Sequence, residues 1–379
     1  MNILLCTPAF EVRVVGPAVF SHLFFTTNAE NPQHDCRILT SDTSVETDRI
    51  YKVRDDYPPR LAAFNFIFRQ IYFYQALRRI QKEFPFDIVL FIDARHGWMS
   101  RLLFPKSIKM VGFINDYQTV DPFLAMHGTR RRLWFFRYFV RFFERKAARS
   151  LDLIVACSKD LKQRIERGYG VKKEKVLALF HGFEVRKNPF QARLLPFNSP
   201  IKLLFIKSNL RRGALDILAK ALQKLSDFSF VLTIIGPPNS LKTNIETLFS
   251  TISNVELRFI GFADTATVYE EMKTNDILCT PSRDEALGIA NAEGLASGIS
   301  VVSTRVSGII EVLDDGKNGW LAEPENADDL AEKLKKCIEA DPSVRTEKSH
   351  AGRLFVEQNF DYRQLNTLFL EKCVALFDK

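Results

Sequence analysis

Residues 87–92 (D-I-V-L-F-I) form a short, almost wholly apolar run with no polar alternation. A strand with one wet face alternates apolar and polar residues, so a run without alternation is buried on both faces, as in a parallel sheet. Runs of strand type recur at 2–6, 36–40, 108–114, 151–157 and 175–180, and again at 202–206, 228–235, 255–260, 276–279, 300–303 and 320–321. Helical patterns lie between or after them at 18–27, 60–84, 158–167, 215–225, 327–340, 343–358 and 362–377. Strand and helix alternate in two series, which predicts two doubly wound α/β halves with a cleft between them. The series break at 186–200, where Pro189, Pro196 and Pro200 interrupt all periodicity and mark a linker.

The 379 residues suit two domains, and a hydrophobic share of 46% suits packed cores. The opening M-N-I-L-L-C-T has no basic stretch before its short apolar run, so it reads as a first strand and not as a signal peptide. No run approaches the roughly 18 apolar residues of a membrane span. Six scattered cysteines without a C-x-x-C pair point to reduced thiols in a cytoplasmic protein, not to a disulfide frame or a zinc site. The net charge of +8 allows anionic partners of several kinds without selecting one.

The richest stretch is 281–298, P-S-R-D-E-A-L-G-I-A-N-A-E-G-L-A-S-G. Pro281 and Ser282 end a strand, and a helix of small residues starts after Gly288. Glu285 therefore falls in the loop beyond the strand, and Glu293 inside the helix. Unpaired N–H groups at such a helix start bind phosphate, while carboxylates beside them accept hydrogen bonds from sugar hydroxyls. Together they predict a nucleotide-sugar site. In the first half, a strand at 2–6 followed by Gly16 and a helix is the opening unit of a dinucleotide-type fold.

The run E-A-L-G-I-A-N-A-E resembles the E-x7-E motif of family-4 retaining glycosyltransferases of GT-B fold. Arg212-Gly213 with Leu215 and Ala221 is similar to the family's K-G-x-x-x-L-x-x-A segment, with Arg for Lys. Gly308 to Glu311, Asp315-Gly316, Asn318 to Leu321 and Pro324 resemble its G-G-x-x-E-x-x-x-D-G-x-N-G-x-L-x-x-P run. His181-Gly182-Phe183 stands where the family has Asn-Gly-Val. The resemblance covers nearly the whole chain, is most specific across 281–324 and is loose before Glu144.

The resemblance implies two Rossmann-like domains facing a central cleft. An acceptor-binding domain would span 1–187, a linker 188–200 and a nucleotide-sugar-binding domain 201–358, with a final helix in 359–379 packing back on the first domain. Glu285, with the backbone of Leu287, Gly288 and Ile289, would hold the transferred sugar and distal phosphate, and Glu293 the ribose. Lys207 and Arg212 would neutralise the diphosphate, Gly16 would let backbone approach it, and the main chain near Phe262 would meet the base. Asn115 stands where the family often has a His that contacts the donor sugar; an amide makes that contact but cannot titrate. The reaction implied is transfer of a sugar, with retention, from a nucleotide diphosphate sugar to an acceptor such as a lipid-linked or cell-surface glycan precursor. The absence of an Asp-x-Asp spacing predicts that neither metal nor cofactor is needed.

Residues 130–149 stand apart: eight are basic, and only Glu144 is acidic. On a helical projection Arg130, Arg137, Arg141 and Arg145 share one face opposite Leu133, Phe135, Phe136, Phe139, Val140, Phe142 and Phe143. That pattern fits a helix lying on an anionic membrane surface, or an acceptor contact, and equally a helix packed on a sheet with solvated arginines. Two other readings compete with the transferase. A nucleotide-sugar epimerase would need a titratable group where Asn115 stands, and a nucleic-acid-binding protein would interleave its aromatic and basic residues, which these do not.

Overall fold

In the computed structural model the described residues are 1–8, 10–11, 16–29, 31–44, 46–53, 65–117, 119–120, 131–192 and 197–378, the side chains of 65–67 and 131–137 excepted. The chain divides into two compact units, one made of Met1–Phe183 with Tyr362–Lys379, the other of Glu184–Asp361.

The first unit is built on a seven-stranded sheet of β1 (Asn2–Thr7), β2 (Asp35–Thr40), β3 (Ile50–Lys52), β4 (Ile88–Phe91), β5 (Lys109–Ile114), β6 (Leu153–Ala156) and β7 (Val176–Ala178). Its order is β3-β2-β1-β4-β5-β6-β7, and every pairing is parallel. Around it lie α1 (Gly16–Ala29), α2 (Asn65–Glu83), α3 (Gly97–Leu103), α4 (Arg131–Ser150) and α5 (Lys159–Ile165). The central strands β4 and β6 are buried at every residue, as their unbroken apolar runs demand. Strand β3, which sequence periodicity does not reveal, is a three-residue edge strand held by backbone pairing to β2, with no buried residue.

The second unit carries a six-stranded parallel sheet of β8 (Ile201–Ile206), β9 (Phe230–Ile235), β10 (Val255–Gly261), β11 (Ile277–Thr280), β12 (Ser300–Thr304) and β13 (Trp320–Ala322), in the order β10-β9-β8-β11-β12-β13. Its helices are α6 (Leu210–Gly213), α7 (Leu215–Lys224), α8 (Lys242–Phe249), α9 (Thr265–Thr274), α10 (Ile289–Ser297), α11 (Ser307–Val312), α12 (Ala327–Glu339) and α13 (Pro342–Asn359). The core packs Leu203, Phe205, Leu232 and Ile234 of the sheet against Leu215, Leu218 and Leu222 of α7 and Leu330 and Leu334 of α12.

The last helix, α14 (Tyr362–Val374), belongs to the first unit. Its Phe369 is fully buried against Phe20, Phe24 and Phe113, with ring centroids 5.4–6.3 Å apart, and Asn28 donates to Asn366 at 3.1 Å. Burying a Phe contributes about 1.5–3 kcal/mol, so this cluster is enough to fix the helix. The proline-rich stretch after 186 is no free tether. Gln191 N–H donates to Ser297 O at 2.9 Å, the Phe190 ring lies 5.0 Å from His350, and Arg345 sits 4.5 Å over Phe197. Phe190 and Phe197, inside the span 188–200 expected to be a linker, thus have partners on the second unit, which begins at Glu184.

Candidate functional site

In an open parallel sheet, ligands bind beyond the carboxyl ends of the strands where the strand order reverses. In the second unit the chain adds β9 and β10 on one side of β8 and then places β11 on the other. The reversal falls between the segments that follow β8 and β11, which hold Lys207 and, in α6, Arg212 on one side and Glu285 on the other.

The loop after β8 runs through Lys207 into α6, whose start is capped by Asn209 accepting from Arg212 N–H at 3.0 Å. The loop after β11 is bolted to it. Arg283 N–H donates to Arg212 O at 2.8 Å, and its guanidinium grips Asp216 with two bonds of 2.7 and 2.8 Å while also donating to Arg211 O at 2.6 Å. A further bond joins Arg283 to Glu325. This clamp sets side by side two ion pairs, Lys207 with Glu285 and Arg212 with Asp284 at 2.5 Å. All four side chains are about four-fifths buried. Two cations at the reversal point, each closed by a carboxylate from the opposite loop, make a site that can exchange those carboxylates for phosphate oxygens.

The run from Glu285 to α10 depends on two glycines. Gly288, at the N-cap of α10, has φ of 84°, a left-handed conformation that favours glycine. Gly308, in α11, presses against the loop from below: a Cβ there would lie 2.3 Å from Ala286 O and 2.5 Å from Leu287 Cα. Gly308 N–H donates to Glu285 O at 3.2 Å. The backbone at 287–289 is thereby held at the start of α10, where Asn291 N–H donates to Gly288 O at 2.9 Å and the N–H groups of Ile289 and Ala290 lack intrahelical acceptors.

Glu293 lies one turn further into α10. Burial pushes its carboxyl up to about 7, against which a hydrogen bond from Tyr269 pulls down. Tyr269, on α9, is raised far above the ordinary phenol range by burial and by the Glu293 and Glu184 charges. Phe262 follows β10 directly and is 65% exposed, at the same edge of the sheet.

The remaining expected residues are in the first unit. A Cβ on Gly16 would lie 3.3 Å from Nδ1 of His181, a buried imidazole whose pKa burial lowers to about 4. Asn115, at the end of β5, donates to Ile92 O at 2.9 Å, while its buried Oδ1 has no partner. The arginines of α4 face inward more than the projection suggested. Arg141 donates to Thr119 O at 2.9 Å, to Val120 O and to Gly168 O at 3.1 Å; Arg145 and Arg149 reach Tyr169 O at 3.4 and 2.6 Å. Carbonyls at the end of a helix need donors, and the turn that closes α5 at 166–170 takes them from α4. Arg130 and the Arg137 side chain lie outside the described residues. Among the described residues no group of three or more His, Cys, Asp or Glu side chains is placed to hold a metal ion, and no helix is long and apolar enough to cross a membrane.

Sequence reasoning missed Arg283, Asp284 and Tyr269. The first two lie inside the R-D-E run of 283–285, where three consecutive charges in a loop beside an apolar strand end were a usable signal. Tyr269 had none, because its partner is 24 residues away.

Comparison with known proteins bears on both units. Residues 27–187 match the family Glycosyltransferase Family 4, and 187–353 match Glycosyl transferases group 1. An uncharacterised glycosyltransferase of Methanocaldococcus jannaschii is 28% identical over 251 residues, 65% of this chain and 66% of that protein, so the match spans just under two thirds of the relative's length. Sucrose-phosphate synthase of Thermosynechococcus elongatus superposes with a TM-score of 0.81 at 15% identity, over 100% of this chain and 99% of that one. HepE of Anabaena, solved with UDP and glucose, gives 0.71 at 14% identity over 99% and 100%. At these identities the superpositions show the fold, which is of GT-B type.

Proposed function

Because this chain belongs to the family-4 glycosyltransferases of GT-B type, we propose that it transfers a glycosyl group, with retention, from a nucleotide diphosphate sugar to an acceptor hydroxyl on a glycan or lipid-linked glycan. The observation that carries this reading is the pair of closed ion pairs, Lys207–Glu285 and Arg212–Asp284, at the strand-order reversal of the second unit.

When the diphosphate enters, Lys207 and Arg212 turn from the carboxylates to its oxygens and stabilise the charge that builds on the leaving group. Freed from Lys207, Glu285 accepts from hydroxyls of the transferred sugar. The N–H groups at Leu287 to Ile289 donate to the distal phosphate, Glu293 accepts from the ribose, and the main chain at Phe262 meets the base. Gly16 admits the diphosphate, and Asn115 contacts the transferred sugar of the donor, by resemblance alone. The leaving diphosphate and the arriving hydroxyl share one face of an oxocarbenium-like sugar, so no protein nucleophile is required. Two cations fulfil the part a divalent ion would otherwise play, and transfer is proposed to need no metal. HepE's complex with UDP and glucose supports a nucleotide sugar as the donor class.

Six unpaired, buried cysteines support a cytoplasmic site of action. Contact with an anionic membrane surface is proposed in narrower form than the arginine stripe suggested. Arg141 and Arg145 are engaged with carbonyls, which leaves the half-exposed Phe142, with Lys146 5.5 Å over its ring, as the group to meet lipid.

The test is a thermal-shift screen of nucleotides and nucleotide sugars, followed by transfer assays with and without EDTA. A nucleotide diphosphate at 100 times its Kd stabilises by about 2.7 kcal/mol. If no nucleotide stabilises the protein, or if EDTA abolishes transfer, the corresponding part of the proposal fails.

A further inference from the structure

Of the four charged side chains at the strand-order reversal of the second unit, Lys207, Arg212 and Glu285 have a part in the proposed transfer and Asp284 has none. Asp284 is nonetheless fixed in place. Its Oδ1 accepts from Arg212 Nε at 2.5 Å, and its side chain is 17% exposed. The backbone is pinned on both sides of it, by Arg283 N–H donating to Arg212 O at 2.8 Å and by Glu285 O accepting from Gly308 N–H at 3.2 Å. The Arg283 guanidinium, bonded twice to Asp216, adds a third hold. The Asp284 carboxylate can turn about its own side-chain bonds, but it cannot leave the site.

A diphosphate on Arg212 therefore meets Asp284. A guanidinium presents its N–H groups as a rigid fork, so an acceptor on a neighbouring nitrogen lies within about 5 Å of one on Nε. Like charges at about 5 Å, with an effective dielectric of about 20, repel by enough to shift an equilibrium about a hundredfold. Solvent and salt at a partly open site screen much of this and leave about tenfold.

The penalty grows with the charge of the ligand. Transfer breaks the bond between the anomeric carbon and the terminal phosphate oxygen, and the bonding pair stays on that oxygen. The acceptor oxygen takes its place on the carbon, and the acceptor proton passes by way of the phosphate to solvent. With a second ionisation near pH 6, the freed terminal phosphate then carries an additional negative charge. That charge draws the product more strongly than the nucleotide sugar toward Lys207 and Arg212, and Asp284 opposes the gain.

We infer that Asp284 is a built-in competitor of the diphosphate: it holds Arg212 until the donor enters and, after transfer, weakens the hold on the nucleotide diphosphate relative to that on a fresh nucleotide sugar. The inference rests on the reading of this site as the donor site of a transferase.

The experiment is isothermal titration calorimetry at pH 8 on the full chain, wild type against Asp284→Asn. The ligands are UDP, ADP and GDP beside UDP-glucose, ADP-glucose and GDP-mannose. For the nucleotide that binds, Asp284→Asn is expected to tighten the free diphosphate about tenfold and its nucleotide sugar about threefold. Asn keeps an acceptor for Arg212; Asp284→Ala, which lacks one, is expected to change affinity in the same direction. The sign is decisive, because a carboxylate that served only to position Arg212 for phosphate would give weaker binding on removal.

The inference is overturned if both variants bind the free diphosphate no more tightly than wild type does, or if the nucleotide sugar gains as much as the diphosphate. Either result leaves the donor site standing, since wild type binds. If none of the six ligands binds wild type or variant, the transferase reading fails and the inference fails with it.

Discussion

Glu293 is expected to weaken the fold that it serves. Burial raises its carboxyl to about 7 from an ordinary 4.5, in spite of the hydrogen bond from Tyr269. Each pH unit corresponds to about 1.4 kcal/mol, so ionising Glu293 in the folded protein costs about 3 kcal/mol more than in the unfolded chain. The sign follows from which state holds the proton more tightly. Here it is the folded state, so stability is lost as pH rises from about 4.5 to about 7, and the whole cost is present above 7. Glu293→Gln keeps an acceptor for Tyr269 and cannot ionise. It is expected to stabilise the protein by up to about 3 kcal/mol at pH 8 but by less than about 1 kcal/mol at pH 5. For a unit of this size that is a rise in Tm of roughly 6–12 °C at pH 8. Calorimetry or urea unfolding of both proteins at the two pH values measures it. The same variant should bind nucleotides more weakly, and wild-type nucleotide affinity should grow as pH rises through 7, because a carboxylate accepts from ribose hydroxyls better than a carboxylic acid does. An equal stability difference at pH 5 and pH 8, or a wild-type nucleotide affinity flat across pH 7, would refute the reasoning.

Lys207→Ala and Arg212→Ala each remove one of the two charges expected at the leaving group, and each should lower kcat by roughly 10²–10³ with the circular dichroism spectrum unchanged; near-normal turnover in both would remove the site. Gly308→Ala places a methyl group against Ala286 O and Leu287, an overpacking expected to cost about 1–3 kcal/mol, and urea unfolding together with a transfer assay should show stability and activity falling together. Phe142→Ser with Lys146→Glu should abolish sedimentation with phosphatidylglycerol vesicles while leaving nucleotide stabilisation intact; unchanged sedimentation removes the membrane contact.

The alternation of strands and helices was legible because an unbroken apolar run such as 88–91 can be satisfied only between two covered faces. The 281–298 stretch was legible because turn chemistry is local: Pro281, Gly288 and the small residues after it set a strand end, a left-handed residue and a helix within one segment. By contrast β3 exists by pairing to β2, and the span after 186 is held to the second unit by His350 and Arg345. No local pattern announces either.

For the side chains the division is sharper. The sequence by itself determined that Glu285 and Glu293 stand eight residues apart on a loop and the helix after it, and that eight basic residues accompany a lone Glu144. Only the tertiary structure decided that Lys207 and Arg212 are closed by Glu285 and Asp284, that Arg141 turns inward to carbonyls near 168, and that Glu144 faces a cavity beside Asn115. The reason is physical. Backbone conformation follows from neighbours in the chain, whereas the partner of a charge follows from which strands the sheet sets side by side, and here the order β8-β11 and the order β1-β4 bring together residues that are distant along the chain.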